Sequence, residues 1–147
     1  MPKFETRQFG TVDYSEDSVL EFVEGIPAFE QHTRFVLIEP PDAAPIIFLQ
    51  SLHHSELSFL TLPVACIDPS YQLEAAPEEL NCLGFKSPYE PGDMLVLTIL
   101  TAREGIPPTA NLLAPVVINR RTRRARQVVQ VSGRYSFEHP LAAVKEA

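Results

Sequence analysis

Residues 109–131 read TANLLAPVVINRRTRRARQVVQV, and this stretch decides the fold. An apolar strand with Asn111 and Asn119 near its ends runs into the basic turn RRTRRAR and out into a second apolar run, QVVQV. Two apolar runs joined across a polar turn predict a β-hairpin, with strands over 112–118 and 127–131. The first run carries no nucleophile, no general acid or base and no soft metal ligand. It points to a surface or core built for protein contact rather than catalysis. Asn at a strand end bonds neighbouring main-chain groups, so both asparagines are expected to serve the backbone first and any partner second.

Outward from this hairpin the chain repeats the same grammar. Prolines and glycines cut it into short apolar runs. Residues 4–9 and 11–14 flank Gly10 and read as a hairpin. Further strands are expected over 19–23, 35–38, 46–52, 57–62 and 94–101, with a bend or an edge at Pro63. Residues 24–30 and 104–108 read as loops. One helix stands out over 77–83. Pro77 suits its first position, Glu78 and Glu79 favour its positive end, and Gly84 can supply a left-handed stop.

The 147 residues fit one domain, 1–147, large enough to fold without a disulfide or metal staple. Fourteen prolines argue against long helices. Many short strands and one short helix predict an all-β fold, a small β-barrel-like domain in which closure removes exposed edges.

Charge is uneven along the chain. The formal net charge is -7, yet residues 1–102 hold 16 acids against 4 bases and residues 103–147 hold 3 acids against 8 bases. The arginines at 120, 121, 123, 124 and 126 are expected to form an exposed, solvated turn. They suggest an alternative function, direct RNA binding through the hairpin 120–126. No aromatic residue is interleaved there to stack a base.

Other chemistry is poorly supported. GxSxG, GxxxxGK[ST] and GxGxxG are all missing, so the expectation is no enzyme, no cofactor and no metal. Cys66 and Cys82 read as buried reduced thiols. His53 and His54 are adjacent and would point to opposite faces of an extended chain, while His32 and His139 stand alone in the sequence. A small barrel enzyme or ligand carrier remains a third reading. No apolar run reaches the roughly 18 residues needed to span a bilayer, and the N-terminus lacks a signal-peptide core, so a soluble cytoplasmic protein with no membrane contact is expected.

Several motifs in order resemble the FliW family of flagellar assembly factors. They are GIPAFE (25–30), FVL (35–37), LQS (49–51), TANLLAPVVIN (109–119), Gln127-Val128, Tyr135-Ser136 and His139-Pro140-Leu141. The chain departs from the family pattern at Ala28, Ala125 and Glu138, where Gly, Gly and a basic residue are usual. The resemblance implies a β-barrel-like protein that is not an enzyme. It implies binding to flagellin and, alternatively, to CsrA, an RNA-binding translational repressor, so that FliW freed by flagellin export relieves repression of flagellin translation. Glu24, Ile26, Phe29 and Glu30, with Asn111 and Asn119, are the candidate partner-binding residues. Ile26 and Phe29 are apolar within a segment bounded by acids; they either meet the partner or pin the loop to the core.

Overall fold

The structure is a computed structural model that describes residues 2–24, 26, 29–85 and 91–141. Eleven strands are described. They are β1 (Lys3–Thr6), β2 (Gly10–Asp13), β3 (Leu20–Phe22), β4 (Arg34–Ile38), β5 (Ile47–Ser51), β6 (Ser58–Pro63), β7 (Met94–Arg103), β8 (Ile106–Ala110), β9 (Val116–Asn119), β10 (Arg124–Gln127) and β11 (His139–Pro140). Strands β7-β6-β5-β4-β3-β10-β9 follow one another, and β9 pairs back onto β7 to close a seven-stranded barrel. All of these pairings are antiparallel except β3 with β10. The expected all-β barrel with one short helix is what the chain forms.

Inward-facing residues follow the period of two. Leu20, Phe22, Phe35, Leu49, Leu97, Val116, Ile118 and Ala125 fill the interior, with Leu37, Phe59, Leu95 and Ile99 packed against them. The alternate residues of β9 are also covered. Val117 faces outward against Leu83, Phe85 and Val128, beneath α1 (Pro77–Cys82), the one α-helix among the described residues. Burial on both faces explains why the VVIN run is continuously apolar up to its terminal Asn. Gly84, at φ +92°, provides the left-handed exit from α1, where a side chain would be strained. Glu79 accepts the Ala76 N–H at 3.1 Å at the helix start.

The N-terminal hairpin β1–β2 lies outside the barrel. Its turn residue Phe9 meets Phe48 edge-on, with ring centroids 4.9 Å apart. Its first strand stops at Thr6, short of the expected Phe9, because the Thr6 hydroxyl accepts the Phe9 N–H and donates to the Gly10 carbonyl, closing the turn.

Five expectations are corrected. The loop expected over 104–108 is only partly loop: residues 106–108 belong to β8. Pro107 and Pro108 fall where the β7–β8 register shifts, so their missing donors are not needed by the ladder. The strand expected over 112–118 begins only at Val116, and the second strand is Arg124–Gln127 in place of 127–131. The arginine turn is tight: Asn119 pairs with Arg124 directly, so arginines occupy the outward positions of β10 and Ala125 the inward one. Cys66 is exposed, since it ends a 3-10 turn that buries only Val64. Cys82 is half-buried on α1.

Candidate protein-contact cleft

The segment from 106 to 119 runs along one edge of β7, but not in one piece. Ala110 pairs with Leu100, the Asn111 N–H donates to the Ile99 carbonyl at 3.0 Å, and pairing resumes with Val116 opposite Leu97. Residues 112–115 loop away between these points. Their backbone groups would be orphaned without local partners. Asn111 Oδ1 accepts the Ala114 N–H at 3.0 Å. The buried Thr98 hydroxyl donates to the Asn111 carbonyl at 2.7 Å. Gln127 Nε2 donates to the Ala114 carbonyl at 2.7 Å, and the Gln130 N–H to the Leu113 carbonyl at 2.7 Å. The Tyr71 hydroxyl donates to the Leu112 carbonyl at 2.6 Å.

A half-open cleft of about 530 Å³ sits over this excursion. Ile26 and Phe29 come to it from the 24–30 loop, Phe59 and Ile99 from β6 and β7, and Asn111, Ala114 and Gln127 from the excursion and β10. Ile106, Val129 and Phe137 also line it and are 55%, 59% and 59% exposed. Glu138 stands at the same cleft, so one departure from the family pattern falls on its wall. The 128–138 segment that carries Val129 and Phe137 is tied down by side chains. The Tyr135 ring stacks on Tyr71 with centroids 4.3 Å apart, and Arg134 donates to Glu74 at 2.6 Å. Hydrogen bonds from Ser132 and Arg134 hold the Glu74 carboxyl below the usual range. Burial pushes the Tyr71 hydroxyl well above its ordinary value, opposed by the Gln130 hydrogen bond.

The candidate residues divide. Ile26, Phe29 and Asn111 meet at the cleft. Ile26 is also buried in the barrel core, and Phe29 packs on that core, so the two side chains both pin the loop and form the cleft wall. Glu24 is exposed at the loop's start and pairs with Arg126 at 3.0 Å; Glu30 is exposed beside Phe29. Asn119 is elsewhere. It is fully buried, accepts the Arg121 and Thr122 N–H groups and donates to the Leu83 carbonyl. Ala28 lies outside the described residues. Sequence reasoning missed Ile106, Val129 and Phe137. Ile106 and Phe137 stand as isolated apolar residues with no periodic signal, Val129 sits in the QVVQV run read as a strand, and only the topology brings the three together.

The arginine turn is also more structured than a solvated loop. Arg121 and Arg124 donate to the Gly84 and Cys82 carbonyls at 3.2 Å each, at the C-terminal end of α1, where cations are favoured. Arg126 bridges Glu24 and Glu79 at 3.0 and 3.6 Å and contacts the Cys82 sulfur. His32, expected to be isolated, lies about 6 Å from both His53 and His54 between ring centroids. The chain turns at 52–55 and is not extended there, so adjacent histidines can approach the same neighbour. Among the described residues, no set of three His, Cys, Asp or Glu side chains is placed to hold a metal ion, and no helix is long and apolar enough to cross a membrane.

A small closed β-barrel with an apolar cleft beside its longest strand is the class of protein that fold and site define. Comparison with known proteins makes the class specific. The family model described as FliW protein matches residues 3–141. The chain is 38% identical to the flagellar assembly factor FliW of Pseudothermotoga lettingae, over 90% of this chain and 83% of that one. It is 32% identical to the FliW of Clostridium novyi, over 95% and 96%. A crystal structure of the flagellar assembly factor FliW superposes with a TM-score of 0.84 at 29% identity, covering 95% of this chain and 96% of that one. The chain belongs to the FliW family, whose named relatives are flagellar assembly factors.

Proposed function

We propose that this chain works in the cytoplasm by protein contact, binding flagellin and, alternatively, a CsrA-type RNA-binding translational repressor. The observation that carries the reading is the cleft, where Ile106, Val129 and Phe137 stay exposed beside an apolar wall. A contiguous apolar patch rimmed by polar residues marks a protein-contact surface. Flagellin occupies the protein until it is exported; the released protein then captures the repressor and relieves repression of flagellin translation. The acidic excess of residues 1–102 suits the second partner. Acids docked beside an RNA-binding groove raise the cost of RNA entry, within about 8 Å at physiological salt. The reading involves no catalysis, cofactor, membrane or direct nucleic-acid contact. Against direct RNA binding, three of the five arginines in 120–126 are engaged with α1 or with Glu24 and Glu79.

The test is calorimetric titration of the purified protein with flagellin and with the repressor, singly and in sequence. Val129→Asp with Phe137→Asp changes only exposed side chains and should abolish flagellin binding while leaving the melting curve in place. Saturating flagellin should block the repressor. A ternary complex with unchanged affinities would refute the exclusion, and binding unaffected by the double substitution would refute the cleft as the contact.

A further inference from the structure

We propose that residues 129–131 are an open strand edge that takes an extended peptide segment, adding it to the sheet beside the cleft with a cation of that segment on Glu138. The proposal rests on the reading of the cleft as a contact site and names how a partner is held there.

The edge follows from the pairing around β10. The Val128 N–H donates to the Pro115 carbonyl at 2.9 Å and the Gln130 N–H to the Leu113 carbonyl at 2.7 Å, so the chain runs on in extended form past the end of β10. Backbone groups alternate in direction along an extended chain, and the N–H and C=O groups of Val129 and Val131 therefore point to the opposite edge. Upstream, β3 occupies that edge. The Glu21 N–H donates to the Arg123 carbonyl at 2.8 Å and the Val23 N–H to the Ala125 carbonyl at 3.1 Å. β3 ends at Phe22. Beyond it, among the described residues, nothing accepts the Val129 or Val131 N–H and nothing donates to either carbonyl. Both residues are exposed, at 59% and 77%.

Sheet edges are ordinarily closed to other chains by proline, charge or a covering loop. Residues 127–133 read QVVQVSG, with no proline and no charge. The cations that flank this run are already paired, Arg126 with Glu24 and Glu79 and Arg134 with Glu74.

The cleft decides the occupant. Val129 lines it together with Ile26, Phe29 and Phe137. A segment paired with Val129 puts its own alternate side chains on the same face, into a space of about 530 Å³. A helix laid across the edge would strip water from these backbone groups and bond none of them, which is unfavourable. Glu138 stands at the same cleft, exposed, and its carboxylate has no partner among the described residues. With the neighbouring arginines paired, its complement is a Lys or Arg of the incoming segment. A second copy of this chain fits poorly. A formal net charge of -7 on each copy opposes association, and QVVQVSG brings no cation to Glu138.

The test uses a short synthetic peptide that alternates Val with Thr and carries Lys at each end. Two further versions are N-methylated at the Val or at the Thr residues, which keeps the side chains and removes the backbone donors on one edge of the peptide. By NMR-detected amide exchange, Val129 and Val131 should exchange fast in the free protein and Val128 and Gln130 slowly. The parent peptide should slow Val129 and Val131 selectively, and one of the two methylated versions should bind about tenfold more weakly, the effect of losing one to two net hydrogen bonds. Val131→Pro removes a donor that the fold does not use and should weaken the peptide about fivefold, with the melting curve in place. Val131→Thr keeps the N–H and should not. Glu138→Lys should weaken the peptide about threefold, less at high salt, and serves if the proline variant does not fold. No binding of the parent peptide, or equal binding of all three versions, would overturn the proposal. So would protection of Val129 and Val131 in the concentrated free protein, the sign of a second copy on the edge. Flagellin separates this proposal from the function it rests on. Flagellin that binds without slowing the Val129 and Val131 amides overturns the edge and leaves the contact reading. Peptide addition with no flagellin binding sinks the flagellin reading and leaves the edge standing.

Discussion

The side-chain amide of Asn119 donates to the Leu83 carbonyl at 2.9 Å, and so the end of β9 holds the end of α1. The same side chain accepts the Arg121 and Thr122 N–H groups through Oδ1, while the Thr122 hydroxyl donates to the Leu83 carbonyl at 2.7 Å. One buried amide thus organises a turn, a strand end and a helix end. Asn119→Ala leaves several buried polar groups short of partners, each costing about 1–3 kcal/mol when unsatisfied. The expected loss is about 2–4 kcal/mol, read as a lower urea midpoint with an unchanged slope. Asn119→Asp keeps the acceptor, loses the donor and buries a carboxylate, so it should be no better. A loss under about 0.5 kcal/mol for the Ala variant, the size of an ordinary surface change, would remove Asn119 from this role.

Gly84 faces the same junction. Its φ is +92°, and a Cβ there would stand 2.7 Å from the Thr122 methyl group. Gly84→Ala therefore combines backbone strain with a clash and should cost more than about 1 kcal/mol. Adding Thr122→Ser removes the methyl and retains the hydroxyl bonded to Leu83. Thermal melts of the four proteins should show partial rescue, with the strain left over. Strict additivity of the two changes would rule out the clash.

The barrel was legible because residues such as Phe35, Leu49 and Ile118 alternate or cluster between proline and glycine breaks. The helix was legible from Pro77 and Gly84, and its end differs from the expectation by one residue. The roles of Asn111 and Asn119 on the backbone were legible in kind, since Asn bonds main-chain groups at strand ends. Their different positions were not: Asn111 lies on the cleft and Asn119 under α1, a difference fixed by pairing with β7. The arginine turn was read as solvated because its helix partner is nearly 40 residues away in sequence, as in the Arg121–Gly84 contact. The histidine cluster was hidden for a related reason, as His32 reaches His53 and His54 across the β4–β5 pairing.

Those arginine contacts can be tested directly. Arg121→Ala together with Arg124→Ala removes two donors from the carbonyls that end α1. Both side chains are exposed, so the cost should be modest, about 0.5–1.5 kcal/mol in total, with the fold intact. Amide exchange should quicken over residues 77–84 more than over the barrel strands. Uniform protection with unchanged stability would restore the solvated-turn reading.

Phe29 and Phe137 share the cleft but should respond differently. Phe29 packs against Phe59 and the barrel core, whereas Phe137 is 59% exposed. Phe29→Ala should lower stability by about 2–3 kcal/mol, toward the lower end for a large aromatic because the side chain is only partly buried. Phe137→Ala should change stability by less than about 0.5 kcal/mol yet weaken flagellin binding. Denaturation and titration on both variants separate pinning from contact. Equal stability losses would erase the distinction.

Tyr71 gives the fold a dependence on alkaline pH. Its hydroxyl donates to the Leu112 carbonyl at 2.6 Å and accepts from Gln130 Nε2 at 2.8 Å, so ionisation would remove the donor that satisfies the cleft excursion. Burial raises its pKa above the ordinary value of 10.0. The sign follows from linkage. Above about pH 10 the unfolded chain gives up the tyrosine proton while the folded chain retains it, so stability is complete below that pH and declines as pH rises. Tyr71→Phe keeps the ring stack with Tyr135 but loses both hydrogen bonds, and should cost about 1–2 kcal/mol at neutral pH. It should also lose part of the alkaline decline, because the remaining tyrosines are common to both proteins. Urea midpoints measured from pH 8 to 11 check both effects. Parallel curves for the two proteins would show that the Tyr71 proton does not report on the fold, even if the hydrogen bonds prove stabilising at pH 8.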